Sequence, residues 1–194
     1  MSAFEIAWRE RHPGCDPIGY RLRAAGSPNW VRFHSLPLSK RYAQTDEEWR
    51  ILLHRQNILA NAVLGDGVAC WLAQACWRLR GGTIDFADTH DSFRATREHS
   101  LAFAFSFLED DEDEDASPWD ANAAIVTWNE GRFDALLRDI ADERAAPTLW
   151  MSADTGSVFA PYDGGVDLFL ADRSMVETLS ARHSEWLSPH PSGL

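Results

Sequence analysis

Val158-Phe159-Ala160-Pro161-Tyr162-Asp163-Gly164-Gly165-Val166-Asp167-Leu168-Phe169-Leu170 sets two short apolar runs on either side of a loop of proline, tyrosine, aspartate and two glycines. Pro161 fixes its own φ and lacks a backbone donor, so the first strand is expected to stop there. Gly164 and Gly165 accept backbone angles that other residues resist. Asp163 and Asp167 bracket the glycines with carboxylates. The pattern predicts strand, loop, strand, and makes the loop either a structural corner or the edge of a site.

Working outward, 148–152 reads as a strand, Ala153-Asp154-Thr155-Gly156 as a tight turn, and 157–160 as the returning strand. Ser174 and Glu177 form a capping box for a last helix reaching about 187, with Val176, Leu179, His183 and Trp186 on one face. Pro189 and Pro191 stop any extension. Three strands this close predict a meander with the last helix packed across it.

Further back, Thr45 and Glu48 make another capping box. The stripe Trp49, Leu52, Leu53, Gln56, Leu59 and Val63 then predicts a helix over 46–64, ended by Gly65. Residues 68–72 read as a buried strand continuing to 77. Leu101, Phe103, Phe105 and Phe107 alternate with small residues, and 123–128 is a partner strand. Asn129 caps a helix over 131–144. Phe4, Ala7, Trp8 and Arg11 predict an N-terminal helix. Ile18, Tyr20 and Leu22 alternate with Gly19, Arg21 and Arg23, and Val31 and Phe33 with Arg32 and His34, a predicted hairpin turning at 26–29. Segregated hairpins with three to four helices give one α+β domain over 1–194 with a mainly antiparallel sheet.

Of the 194 residues, 45% are hydrophobic, and the net charge is −12. That charge argues against general nucleic-acid binding. No apolar run is long enough for a membrane span, and the first ten residues lack a signal-peptide pattern, so a cytoplasmic protein is expected. Cys15, Cys70 and Cys76 are odd in number and carry no CxxC, which makes a disulfide framework or a structural zinc site unexpected. Residues 109–115 are consecutive acids, so the 109–120 loop is expected to be solvated or disordered. Residues 17–45 contain no acid, and Lys40 is the only lysine.

No GxSxG, HExxH, P-loop or GxGxxG motif is present. In the acid-free segment Arg32, His34, Lys40, Arg41 and Tyr42 suit phosphate or carboxylate recognition. The competing reading pairs these bases with the chain's own acids. Tyr162, Asp163 and Asp167 are candidates to contact a ligand or those bases. Asp163 with His183 is the candidate acid–base pair of an enzyme reading. Asp85, Asp88, His90 and Asp91 offer metal-binding donor types, but no second cluster completes a shell, and no cofactor is expected.

Two stretches carry a resemblance. One is Trp30-Val31-Arg32-Phe33-His34-Ser35-Leu36-Pro37-Leu38-Ser39-Lys40-Arg41-Tyr42 with the helix that follows. The other runs from Val158 to the end, with Tyr162-Asp163-Gly164-Gly165 and Arg182-His183-Ser184-Glu185-Trp186. Together they resemble an uncharacterised bacterial domain-of-unknown-function family whose members close with a Tyr-Asp-Gly or Tyr-Asp-Asp turn, a strand and a tryptophan-bearing helix. The family brings no known activity. It points to the two stretches as one shared surface, with the middle of the chain particular to this sequence.

Size, acidity, missing motifs and nine tryptophans, which suit interfaces, lead to a non-catalytic protein that masks a protein partner, such as an immunity protein neutralising a basic toxin. The alternative is an enzyme or small-ligand binder for an anionic compound. It requires both stretches to converge on one pocket.

Overall fold

The computed structural model describes residues 1–77, 92–108 and 118–188. Among these residues seven strands form one wholly antiparallel sheet. They are β1 (Trp30–His34), β2 (Ala69–Trp77), β3 (Ala102–Leu108), β4 (Pro118–Thr127), β5 (Thr148–Ser152), β6 (Val158–Tyr162) and β7 (Gly165–Phe169). Their spatial order is β1-β7-β6-β5-β2-β4-β3, so the C-terminal meander occupies one half and is extended by β1. The α+β class and the antiparallel sheet agree with the sequence reading.

The helices are α1 (Ala3–Arg11), α2 (Gly19–Ala24), α3 (Asp46–Leu64), α4 (Arg94–Glu98), α5 (Asp134–Ala141) and α6 (Arg173–Arg182). The larger core lies on one face of the sheet, where Leu52, Leu59 and Val63 of α3, Leu137 of α5 and Val176 of α6 meet Phe33, Trp150 and Phe159. On the other face Phe4 and Trp8 of α1 and Leu22 of α2 pack on Ala73, Leu149, Val158 and Phe169. No helix among the described residues is long and apolar enough to cross a membrane.

The predicted helix over 46–64 is α3. Thr45 Oγ1 accepts from the Glu48 amide at 3.2 Å, and Glu48 reaches back one residue further than a standard capping box, to the amide of Gln44 at 2.7 Å. The last helix is capped by Asp172, which accepts from the amide of Met175, and it ends at Arg182, before a short 3-10 turn over Ser184–Trp186. The helix α5 starts at Asp134, later than Asn129 suggested.

The segment predicted as the first strand of a hairpin is instead α2. Ile18 and Leu22 are buried while Tyr20 is 43% exposed. Burial every fourth residue is helical, and an alternating apolar pattern this short fits both periods. Freed from that partner, β1 pairs with β7, setting Arg32 opposite Asp167 and His34 opposite Gly165.

The second correction is at Pro161. The strand β6 runs through it to Tyr162, and Asp163 and Gly164 alone make the turn into β7. Neither Gly164 nor Gly165 takes the left-handed conformation. The space each leaves is what matters. A Cβ on Gly165 would lie 2.2 Å from the Phe33 carbonyl oxygen, and one on Gly164 would lie 3.1 Å from the Tyr162 ring.

The tryptophans are largely structural. Trp8, Trp128 and Trp150 are fully buried and Trp119 nearly so, whereas Trp77 is about half exposed. Cys70 and Cys76 are buried free thiols, each pushed up to about 12 by burial.

Candidate functional site

The strands β5 and β6 pair through only two residue pairs, Trp150 with Phe159 and Met151 with Val158. Continuing that register would set Thr148 opposite Pro161, which has no N–H to offer. The start of β5 is held on its other side. The Thr148 hydroxyl accepts from Gln74 Nε2 at 3.0 Å, and the Ala75 amide donates to the Pro147 carbonyl at 2.8 Å. The end of β6 stays with β7. The sheet therefore parts at Pro161, and the gap opens into a cleft of about 390 Å³.

Three elements close this cleft. Ala160, Pro161 and Tyr162 come from β6, with Asp163 and Asp167 from the hairpin. Ile140, Glu143, Ala145 and Pro147 come from the end of α5 and the loop after it. Ile18, Gly19, Tyr20 and Arg23 come from α2 and the residue before it. Gly19 lets α2 approach the sheet, because a Cβ there would sit 2.9 Å from that of Ala160.

At the inner end lies Asp167, only 3% exposed. Its Oδ1 accepts from Trp30 Nε1 at 3.0 Å and Arg32 Nε at 2.8 Å, and its Oδ2 accepts from Arg32 Nη2 at 3.0 Å. The cross-strand register makes this bidentate pair, and the guanidinium also lies 4.7 Å from the Tyr162 ring centroid. Burial works against the charged form of Arg32, but the hydrogen bonds and charge of Asp167 outweigh it and raise its pKa. Tyr162 is pushed up to about 12, chiefly by burial. Arg23 reaches Asp167 Oδ2 only at 3.6 Å. Among the described residues it makes no side-chain hydrogen bond, and its side chain is 34% exposed.

The outer rim is looser. Arg41 donates to Asp163 from Nε, and its Nη2 lies 3.4 Å from Glu143 Oε1. The Tyr42 hydroxyl donates to Glu143 Oε2 at 2.7 Å, a bond that holds its pKa at about 12. Arg41 and Glu143 are both more than half exposed. Leu38 and Ser39 take left-handed angles (φ 58° and 55°), and Leu38 is left fully exposed. Lys40 turns away to Glu48 at 2.6 Å, at the start of α3.

The two stretches named from the sequence thus meet, through Arg32 with Asp167 and Arg41 with Asp163. Lys40 does not join them. The candidate pair of the enzyme reading, Asp163 and His183, is not brought together: Asp163 is taken by Arg41, and His183 stacks on Trp186 at 4.2 Å and lies T-shaped to Phe33. Both His34 and His183 have lowered pKa values, first through burial and then through a neighbouring arginine, Arg32 and Arg182 respectively. Asp85, Asp88, His90 and Asp91 and the acidic run over 109–115 lie outside the described residues. No group of three metal-ligating side chains occurs among the described residues. Sequence reasoning missed Arg23 and Glu143. Arg23 sat on a segment read as a strand, and Glu143 had no local signal beyond its place at a helix end.

The sequence model of a family described as Domain of unknown function (DUF3885) matches residues 18–191, so the chain belongs to that family. The match runs through the middle of the chain as well as the two stretches that carried the resemblance. No curated protein and no solved structure matches the chain.

Proposed function

We propose that this protein binds a small carboxylate-bearing molecule in the cleft between α2 and the parted strands β5 and β6. One observation carries the reading: Arg23 lines the cleft with its guanidinium short of hydrogen bonds, beside an Asp167 already taken by Arg32 and Trp30. A guanidinium presents five N–H donors in a planar fork that matches a carboxylate. Asp163, Asp167 and Glu143 line the same space, so a single negative charge is tolerated better than the two of a phosphate monoester. Ile18, Ile140, Pro147 and Ala160 offer an apolar wall for the rest of the molecule, and the volume suits a small ligand. Of the other bases nominated from the sequence, Arg32 and Lys40 are each tied to a carboxylate of this chain as scaffold, and Arg41 holds Asp163 at the solvated rim. Calorimetric titration with 4-methylpentanoate checks this. Saturable binding is expected, with loss in Arg23→Gln and none for the neutral 4-methylpentanamide. Equal binding of the amide would sink the reading.

A second reading, a masking protein for a basic partner such as a toxin, draws on Leu38, an apolar side chain held fully in solvent by two left-handed residues. It predicts a toxin gene beside this one, and co-purification of its basic product that Leu38→Asp abolishes. Retention of that product by Leu38→Asp would count against it.

A further inference from the structure

A simple anion answers only part of the charge that lines the cleft. Arg23 is the one cation lining it among the described residues, against the three carboxylates of Glu143, Asp163 and Asp167. Asp167 is satisfied internally by a buried partner. The other two are not. Asp163 and Glu143 share Arg41, whose side chain is 59% exposed and stands on a surface loop, and among the described residues Glu143 otherwise holds only the exposed Tyr42 hydroxyl. Glu143 is itself left-handed (φ 58°), at the point where the chain leaves α5 for the cleft wall. Arg41 and Glu143 stand in solvent, so water competes for the Arg41 guanidinium and its bonds exchange easily, although the Asp163 side chain itself is 12% exposed.

From this we infer that the ligand is a zwitterion of the amino-acid class with an apolar side chain, free or as the C-terminal residue of a dipeptide. The inference rests on the reading above and deepens it. The ligand carboxylate sits on Arg23. Its ammonium sits between Asp163 and Glu143, displacing or sharing Arg41, which swings into solvent. A simple carboxylate entering the cleft meets two rim carboxylates as repulsion, whereas a zwitterion meets the same two as attraction. Ile18, Ile140 and Ala160 take the aliphatic side chain. The same lining discriminates against both halves of the ligand, because either half leaves one charged wall without its counterpart.

Titration calorimetry with four compounds tests this: L-leucine, L-alanyl-L-leucine, 4-methylpentanoate, which lacks the amine, and 3-methylbutylamine, which lacks the carboxylate. The better of the two zwitterions is expected to bind at least about tenfold tighter than either half-molecule, as two charge-assisted contacts require. Whichever zwitterion wins identifies the source. In a Glu143→Gln, Asp163→Asn double variant, shown to be folded by circular dichroism, zwitterion binding should fall to the level of 4-methylpentanoate, whose own affinity does not fall. If 4-methylpentanoate binds wild type as tightly as the better zwitterion, the ammonium site is overturned while the anion site stands. If neither 4-methylpentanoate nor a zwitterion binds, both readings fall.

Discussion

Asp163 and Asp167 sit four residues apart on one hairpin, and each meets an arginine from the acid-free segment. There the likeness ends. Asp167 and Arg32 are both nearly sealed from water, with side chains 4% and 9% exposed, and the contact is bidentate with a tryptophan N–H added. At Asp163 the aspartate side chain is 12% exposed, but its partner Arg41 is 59% exposed. A buried pair costs much desolvation and is ruinous to break, because removing one partner strands the other charge. An exposed pair contributes little and changes partners freely. The inner pair is therefore architecture that fastens β1 to β7, and the outer pair is a rim that a ligand can enter.

The inner pair gives the largest way to break this comparison. Asp167→Ala should lower unfolding stability by about 3–5 kcal/mol, read from urea denaturation. A loss below about 1 kcal/mol would mean that water reaches Arg32 and that the two pairs are alike. Next comes Gly165→Ala, which drives a methyl into the Phe33 carbonyl across the same strand pair. A cost of about 1–3 kcal/mol is expected, and a neutral result would show β1 free to shift.

Acid provides a smaller and more general effect. His12 Nε2 donates to the Gly156 carbonyl at 2.8 Å, and its pKa is lowered first by burial. His34, His99 and His183 are lowered too, burial again leading. The unfolded chain takes up these protons first, so stability is fully present above pH 6.5 and declines as pH falls below it. Thermal melts at pH 7.5 and 5.5 should show the drop, reduced in His12→Gln and unchanged in Asp163→Asn. An equal drop in His12→Gln would remove that residue from the account. The smallest effect sharpens the comparison from the other side. Arg41→Gln should leave the melting temperature within the error of the measurement, and a clear loss would make the rim structural.

Part of this site was legible from residue order. Charge segregation offered Asp163 and Asp167 plausible partners in the long acid-free segment over 17–45, but whether 32–42 meets 162–167 was left open by residue order and is decided by the β1–β7 register. Helix α3 was readable because Thr45, Glu48 and a long apolar stripe agree with one another. Arg23 was misread because Ile18, Tyr20 and Leu22 satisfy both a period of two and a spacing of four, and only the surface beneath decides which. Pro161 was read as a strand end by a local rule, although its missing donor faces a side where β5 has already turned away, so the strand continues without loss.

The residue sequence by itself determined the antiparallel α+β class, the C-terminal meander, the long central helix and the segregation of charge that left residues 17–45 without an acid. These follow from periodicity, capping and net charge, which are properties of short windows and simple sums. Only the tertiary structure decided that β1 joins the far edge of the meander, that Lys40 leaves the site for α3, and that β5 parts from β6 to open a cleft. It also decided which aspartate has a sealed partner and which an exposed one. Burial depends on what lies above and below a side chain, and those neighbours, Trp30 and Arg32 for Asp167, come from the other end of the chain.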